Sequence, residues 1–203
     1  HSILVANLSA NAVEAIGGDS LLTRVAAYYH DIGKIIHPRF FTENVNAGME
    51  SPHQMITPEE SAAIIMGHVT EGTRILEESS MPKSIIDICM QHHGTTLVKY
   101  FYYQAKKANP TVNECDFRYP GPKPQTKEAA IVMIADSVEA ASRTLKEYNQ
   151  KSIEALVDSI IDDKVNDDQF SECDLTVNDL KITRQSLISG VAGMYHTRVE
   201  YPK

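Results

Sequence analysis

The chain has 203 residues, enough for one domain with a well-buried core. Hydrophobic residues make up 42% of it and charged residues 23%, which is ordinary for a soluble globular protein and excludes a largely disordered chain. Its apolar runs, such as 129–135, are far shorter than the roughly 20 residues that a membrane-spanning helix needs. A formal net charge of −8 without a long basic stretch argues against a nucleic-acid polymer as a partner.

The chain begins with His1 rather than Met, and it lacks a signal peptide with a basic start and an apolar middle. We therefore expect a fragment of a longer protein. Its three cysteines, Cys89, Cys115 and Cys173, show no CxxC pairing, which argues against a disulfide framework or a zinc ribbon. This cysteine usage favours a reducing, cytosolic setting.

Apolar residues recur at spacings of three and four along most of the chain, which predicts an all-α fold. The run Gly-Gly-Asp-Ser at 17–20 separates the first two helices, and Asp19 or Ser20 can cap the second. Residues 37–58 form a predicted long loop that ends in Thr57 and Pro58, an N-cap followed by proline at the first helical position. Later helices are predicted from 59 to about 79, from 81 to near 94, from 98 onward, from 127 to 148, from 152 to 162, and from about 177 to 196.

Two later segments lack helical periodicity. Residues 109–125 contain four prolines and form a predicted stiff loop, and the acidic segment 166–174 joins the last two helices. We expect 1–148 to form the functional core and 149–203 to supply C-terminal helices packed on it. A separate flap made of the last two helices is the less common alternative.

His30 and Asp31 are adjacent at the end of the second predicted helix. Neighbouring helical residues point about 100° apart, so both side chains reach one ion only if it lies near the helix end or between helices. That arrangement suits a metal held by a helical bundle. Taken alone, the pair is equally compatible with a hydrogen-bonded helix end.

Other histidines and one aspartate strengthen the metal interpretation. Imidazole and carboxylate ligands together suit iron, manganese or zinc, whereas calcium and magnesium prefer oxygen ligands. Seven candidates are too many for one ion and fit two ions bridged by a carboxylate. They are His1, His30, Asp31, His68, His92, His93 and Asp136.

The order of these residues, H, HD, H, HH, D from residue 1 to residue 136, resembles the HD superfamily of metal-dependent phosphohydrolases. The resemblance implies an all-α HD-domain helical bundle with additional C-terminal helices. It also implies two divalent transition-metal ions, with manganese or iron favoured. One metal would be held by His1, His30, Asp31 and Asp136, and the other by His68, His92 and His93, with Asp31 bridging.

Longer stretches resemble a narrower group, the cytosolic domains of seven-transmembrane HD receptors. They are HDIGK at 30–34, HHGT at 92–95 and FRYPGPKP at 117–124, and the likeness continues to residue 196. It implies hydrolysis of cyclic di-AMP to linear pApA. The chain would be the soluble part of a membrane-anchored parent protein and would act at the cytoplasmic face of the membrane. A homodimer is possible. The Gly-Tyr-Pro loop of the related HD-GYP enzymes, associated with cyclic di-GMP, does not follow His93. This departure puts a guanine-specific activity in doubt.

The chemistry expected of such a site is attack by hydroxide from a water shared by two divalent cations, which also neutralise the phosphoryl oxygens. No Gly-x-Ser-x-Gly elbow or P-loop supports covalent or nucleotide-driven chemistry instead. We predict Asp31 and Lys34 as catalytic residues. Lys34, one turn beyond Asp31, can meet a phosphate oxygen or the departing 3′-oxygen, although a solvent-exposed lysine is the ordinary alternative.

Substrate contacts are predicted around the proline-rich loop. Arg118 and Lys123 flank it and can bind phosphate, and Tyr119 can stack on adenine. Surface charge and a core tyrosine are the ordinary alternatives. His37 and His53 can shape the substrate mouth, although a structural or idle loop histidine is the ordinary alternative. His196 is expected to have no role.

Two other functions remain open from the sequence. Another HD nucleotide phosphohydrolase, acting on cyclic di-GMP or (p)ppGpp, would use the same metal ligands, because these ligands do not choose the leaving group. The second possible function is a ligand-sensing module that binds a nucleotide without hydrolysing it. The presence of all seven candidate metal ligands argues against this function.

Overall fold

The computed structural model describes residues 1–41, 44 and 51–195, and within them the regular structure is helical, as predicted. The prediction for His196 falls outside these residues. The α-helices are α1 (Ser2–Ala15), α2 (Ser20–Tyr29), α3 (Pro58–Glu78), α4 (Lys83–Gln91), α5 (Lys99–Ala108), α6 (Lys127–Ser142), α7 (Gln150–Asn166) and α8 (Val177–Tyr195). Short 3₁₀ turns occur at Ile32–Ile35, Pro38–Phe40, Pro52–Met55 and Glu114–Phe117. None of the described helices is both long and apolar enough to cross a membrane.

Side-chain caps fix where several helices begin. The carboxylate of Asp19 accepts a hydrogen bond from the amide of Leu22 at 2.9 Å and starts α2. Thr57 and Glu60 form a reciprocal capping box at the start of α3, with Pro58 in its first turn. Each cap satisfies amide groups that would otherwise lack a partner, which is worth about 1 kcal/mol. The predicted caps at Asp19 and Thr57 are confirmed.

The predicted end of α6 at Tyr148 is wrong, because the helix ends at Ser142. The hydroxyls of Ser142 and Thr144 donate to carbonyl oxygens three residues earlier, at 2.7 and 2.8 Å, and so bind groups at the end of the helix. Between 143 and 147 the one apolar side chain is Leu145, which gives a longer helix little to bury. Asn149 then caps α7, which begins at Gln150.

Helix α6 lies at the centre of the main core. Every residue from Ala129 to Asp136 is buried, so this helix is covered on all sides along that length. Helices α1, α2, α4, α7 and α8 pack around it. Helix α8 also packs against α1, and α7 against α8. The division of the chain at residue 148 stays a prediction.

A second, smaller core surrounds the fully buried Phe117. Residues of α3, of α5 and of the turn Glu114–Phe117 contribute to it, among them Ala62 and Phe101. An isolated antiparallel bridge pairs Leu97 with Arg118. The proline-rich loop is therefore held against the segment that follows His93.

Candidate metal centre

The seven predicted ligands are brought together by five helices. His30 and His92 lie at the C-terminal ends of α2 and α4, where each helix gives way to a turn. His68 lies within α3, Asp136 lies on the buried part of α6, and His1 stands at the start of α1. Their ligand atoms fall into two neighbouring groups, each compact enough to hold one metal ion.

The first group contains His1, His30, Asp31 and Asp136. The Nε2 atom of His1 lies 3.0 Å from Oδ1 of Asp136 and 3.3 Å from Oδ2 of Asp31. The Nε2 atom of His30 lies 3.3 Å from the same Asp31 oxygen and 3.6 Å from Oδ1 of Asp136. Ligand atoms bound at about 2.1 Å and at right angles around one ion lie about 3 Å apart, so these separations suit a shared ion.

The second group contains His68, His92 and His93. The Nε2 atoms of His68 and His92 face each other at 3.2 Å. The Oδ1 atom of Asp31 lies 3.3 Å from Nε2 of His68 and 3.8 Å from Nε2 of His92. The two oxygens of Asp31 are therefore divided between the groups, Oδ2 facing the first and Oδ1 the second.

Hydrogen bonds orient three of the imidazole rings. The Nδ1 atoms of His30, His68 and His92 each donate to the carbonyl oxygen three residues earlier in the chain, at 2.7, 2.5 and 2.6 Å. A carbonyl oxygen only accepts, so Nδ1 carries the proton and Nε2 keeps its lone pair for a ligand role. The helical turn before each histidine thus sets its tautomer.

The first group is strongly charged. Burial opposes the charge of Asp31 and Asp136, yet their contacts with the histidines hold the pKa of both carboxyls well below the usual range. Burial also opposes the charged imidazoles, but the carboxylates raise the pKa of His1 to about 11 and that of His30 to about 10. Two buried anions therefore demand positive charge, which protons supply when metal is absent.

Two rings of the second group, those of His92 and His93, favour the neutral form. Burial and the neighbouring imidazoles lower the pKa of His92 to about 3, and the pKa of His93 also falls well below its usual value. Neutral imidazole is the form that binds a metal ion.

Two buried imidazole nitrogen atoms of the first group are suited to bind a metal ion. The Nε2 atoms of His1 and His30 are buried. Carboxylate oxygens lie 3.0 to 3.6 Å from them, but among the described residues none of these contacts has hydrogen-bond geometry. Buried nitrogen atoms of this kind are costly unless something binds them. Imidazole and carboxylate together form the ligand set that manganese, iron and zinc accept, so the residues fit such ions.

Lys34 lies beside Asp31 of the first group and lines the adjacent cleft. Its Nζ is 2.7 Å from Oδ2 of Asp31 and 5.1 Å from the ring centroid of Phe41. A cleft of about 600 Å³ opens here, lined by Lys34 together with His1, Asp31, Pro38 and Arg143, among others. A phosphate that enters the cleft would meet the ammonium group and the ligand atoms together.

The other predicted substrate contacts are placed differently. Tyr119 is 8% exposed and stacks on His93, with ring centroids 4.3 Å apart. The guanidinium of Arg118 pairs with Glu114 and Asp167, at 2.8 and 3.0 Å. Their roles in binding substrate stay predictions.

Lys123 and the two loop histidines also have partners. The Nζ of Lys123 lies 2.7 Å from Asp168, so this cation is paired with the segment after α7. His53 donates from Nε2 to the carbonyl oxygen of Phe40 at 2.8 Å, and its ring lies against Phe40. The ring of His37 also approaches Phe40, at 6.1 Å between centroids.

Two residues of the site escaped the sequence analysis. Glu139 is completely buried, and its Oε2 lies 2.6 Å from Nδ1 of His1. Arg143 donates two hydrogen bonds to the other carboxylate oxygen. The available signal was spacing, because Glu139 follows Asp136 by three residues and so lies on the same face of α6.

Comparison with known proteins identifies the family of the chain. The family model described as the HD domain matches residues 1–141. The cyclic-di-AMP phosphodiesterase PgpH of Listeria monocytogenes is 52% identical over 202 residues, and PgpH of Bacillus subtilis is 50% identical over 203. Each alignment covers 100% of this chain but 28% of the relative, so the chain spans little more than a quarter of those proteins.

A solved structure gives the same result. The HD domain of L. monocytogenes PgpH in complex with cyclic-di-AMP superposes with a TM-score of 0.94 at 51% sequence identity. The match covers 99% of this chain and 92% of that one. The fold is shared with that domain, and the chain belongs to the HD-domain family.

Proposed function

We propose that the chain is a binuclear metal-dependent phosphodiesterase that hydrolyses cyclic di-AMP to linear pApA. The observation that carries the proposal is the position of Asp31. One of its oxygens faces His1 and His30, and the other faces His68 and His92, at distances of 3.3 to 3.8 Å. A carboxylate divided in this way is suited to bridge two ions.

The residues that would hold the metals follow from the two groups. His1, His30, Asp31 and Asp136 would hold one divalent ion, and His68, His92 and His93 the other, with Asp31 shared. Manganese or iron suits this mixture of imidazole and carboxylate. When bound, such ions lower the pKa of a water molecule and neutralise negative charge on phosphoryl oxygens.

The chain itself contributes binding and orientation. The ammonium of Lys34 lies beside Asp31 in the cleft, where it can donate to a phosphate oxygen or to the departing 3′-oxygen. Tyr119 stacks on His93 and so restrains the orientation of that ligand ring. These residues position the scissile phosphodiester, and positioning alone can lower a barrier by several kcal/mol.

Two findings support cyclic di-AMP as the substrate. Relatives with 50% and 52% identity are named cyclic-di-AMP phosphodiesterase, and the matching HD domain of one was crystallised with that dinucleotide. The Gly-Tyr-Pro loop expected of the HD-GYP enzymes is also missing after His93. A membrane-anchored parent chain, action at the cytoplasmic face and a homodimer stay predictions.

A substrate panel with metal analysis of the same sample tests the proposal. We expect two equivalents of metal per chain and turnover of cyclic di-AMP well above that of cyclic di-GMP and (p)ppGpp. Asp31→Ala should abolish turnover and lower the metal content, whereas Asp87→Ala, which breaks a surface ion pair with Lys83, should change neither. Preference for cyclic di-GMP would overturn the substrate, and an Asp31→Ala variant with normal metal and rate would overturn the bridge.

A further inference from the structure

Glu139 is a buried carboxylate that the proposed reaction does not use. Its side chain has 0% exposure and lies on α6, one turn after Asp136. One oxygen, Oε2, accepts a hydrogen bond from Nδ1 of His1 at 2.6 Å. The other, Oε1, accepts two from Arg143, at 2.9 Å from Nε and 2.7 Å from the terminal nitrogen.

The partner of His1 differs in kind from those of the other oriented histidines. His30, His68 and His92 donate from Nδ1 to neutral backbone carbonyls of their own helices. His1 donates from Nδ1 to a charged side chain on another helix. A carboxylate partner makes an imidazole a stronger metal ligand than a neutral carbonyl does.

We infer that Glu139 is the positioning residue of His1: it holds the Nδ1 proton, aims Nε2 at Asp31 and Asp136, and strengthens His1 as a ligand of the first metal. The inference rests on the proposed binuclear site and adds to it. Because a carboxylate accepts and never donates when ionised, it selects a single tautomer of the ring. The Nε2 atom then lies 3.0 Å from Oδ1 of Asp136 and 3.3 Å from Oδ2 of Asp31, where the other ligand atoms of the first group converge.

Arg143 completes the arrangement. A fully buried carboxylate with a neutral partner alone would be costly, and the guanidinium supplies the opposite charge. Its two hydrogen bonds to one oxygen leave the other oxygen to His1. Arg143 also lines the cleft beside His1 and Lys34, so the network links the wall of the cleft to the first group.

Metal affinity tests the inference without substrate. Apparent dissociation constants for the two ions are measured by competition with a chelator in the wild-type chain, in Glu139→Gln and in Glu139→Ala. We expect one of the two ions to bind about 100-fold more weakly in Glu139→Ala and about 10-fold more weakly in Glu139→Gln, since the amide can still accept from Nδ1 but carries no charge. The affinity of the other ion should stay within about threefold.

A matched control separates positioning from support of the fold. Asp179 is another buried carboxylate, paired with Lys127 and remote from the ligands in sequence, and Asp179→Asn should leave both metal affinities unchanged. Thermal unfolding of each metal-free variant measures the structural contribution by itself. Glu139 variants with wild-type affinity for both ions, or with equal loss at both, would overturn the inference even if their stability falls.

The imidazole nitrogen shifts of His1 give a second readout. In the wild-type chain loaded with diamagnetic zinc, ¹⁵N NMR should show a protonated Nδ1 on His1. Glu139→Ala should shift that resonance, because the proton loses its carboxylate acceptor. A protonated Nδ1 of unchanged shift in Glu139→Ala would contradict the assignment. Neither measurement depends on the substrate, so failure to hydrolyse cyclic di-AMP would count against the proposed function alone.

Discussion

Replacement of Gly33 by alanine should move Asp31 away from His68, a residue of the second ligand group. Gly33 lies in the 3₁₀ turn Ile32–Ile35, directly after Asp31, where that turn packs on α3. A Cβ atom built on Gly33 would lie 2.5 Å from the amide nitrogen of Gly72 and closer still to the carbonyl oxygen of His68. Both neighbours are backbone atoms of a helix, so no side chain can rotate away to make room.

The size of the effect follows from these contacts. The turn and α3 must move apart by roughly 1.5 Å before the contacts become ordinary van der Waals ones. Overpacking of this kind costs about 1–3 kcal/mol of unfolding free energy. Because Asp31 precedes the turn and His68 lies on α3, the same movement lengthens the 3.3 Å contact between them. A 1 Å misplacement at a reacting centre lowers the rate by about 100-fold.

Gly67→Ala is the matched control, since its added Cβ would meet nothing within 4 Å on the same helix. Alanine is favoured over glycine in a helix by about 1 kcal/mol, so this variant should be as stable as the wild type or more so. Urea unfolding, metal analysis and turnover of cyclic di-AMP are measured for both. If Gly33→Ala kept wild-type stability, metal content and rate, the close approach of the turn to α3 would not position the site.

Three further outcomes are expected. Lys34→Ala should lower turnover of cyclic di-AMP while metal content stays normal, because we propose that the ammonium contacts the substrate and is no metal ligand. An unchanged rate would remove Lys34 from the mechanism. Thr57→Ala should lower the free energy of unfolding by about 1 kcal/mol in urea titrations, since it removes the capping box with Glu60, and an unaltered midpoint would contradict this. Burial raises the pKa of the Cys89 thiol to about 12, so at pH 7.5 a maleimide should label the exposed Cys115 and reach Cys89 only after unfolding; labelling of Cys89 in the folded chain would refute its burial.

Local features of the fold could be predicted from the sequence because their causes are local. Asp19 and Thr57 cap helices through bonds to amides three residues away, and such spacings are visible in the printed chain. The end of α6 could not be found in this way. Tyr148 continues the apolar pattern, but the hydroxyls at the helix end and the new cap at Asn149 decide that the chain turns.

The candidate site also has features that the sequence predicts and features that depend on tertiary packing. The order of the candidate ligands can be read from the sequence. The ion-pair partners of Arg118 and Lys123 could not be predicted from it. Both cations pair with carboxylates more than 40 residues away, at Asp167 and Asp168, in a segment whose position depends on the packing of α7. Such pairs offer no spacing to recognise, and the phosphate contacts of Arg118 and Lys123 stay predictions.

The end of α2 shows how the adjacent side chains of His30 and Asp31 face the two ligand groups differently. Within a helix, adjacent side chains diverge by about 100°, so they reach one ion only where it lies near the helix end or between helices. His30 ends the helix with helical backbone angles, while Asp31, at φ −102° and ψ 11°, has left them. His30 therefore keeps its Nδ1 bond to the preceding turn and directs only Nε2 to the first group, whereas Asp31 is turned so that each oxygen faces a different group. The backbone leaves the helical conformation between His30 and Asp31. Their side chains can therefore take different directions although the two residues are adjacent.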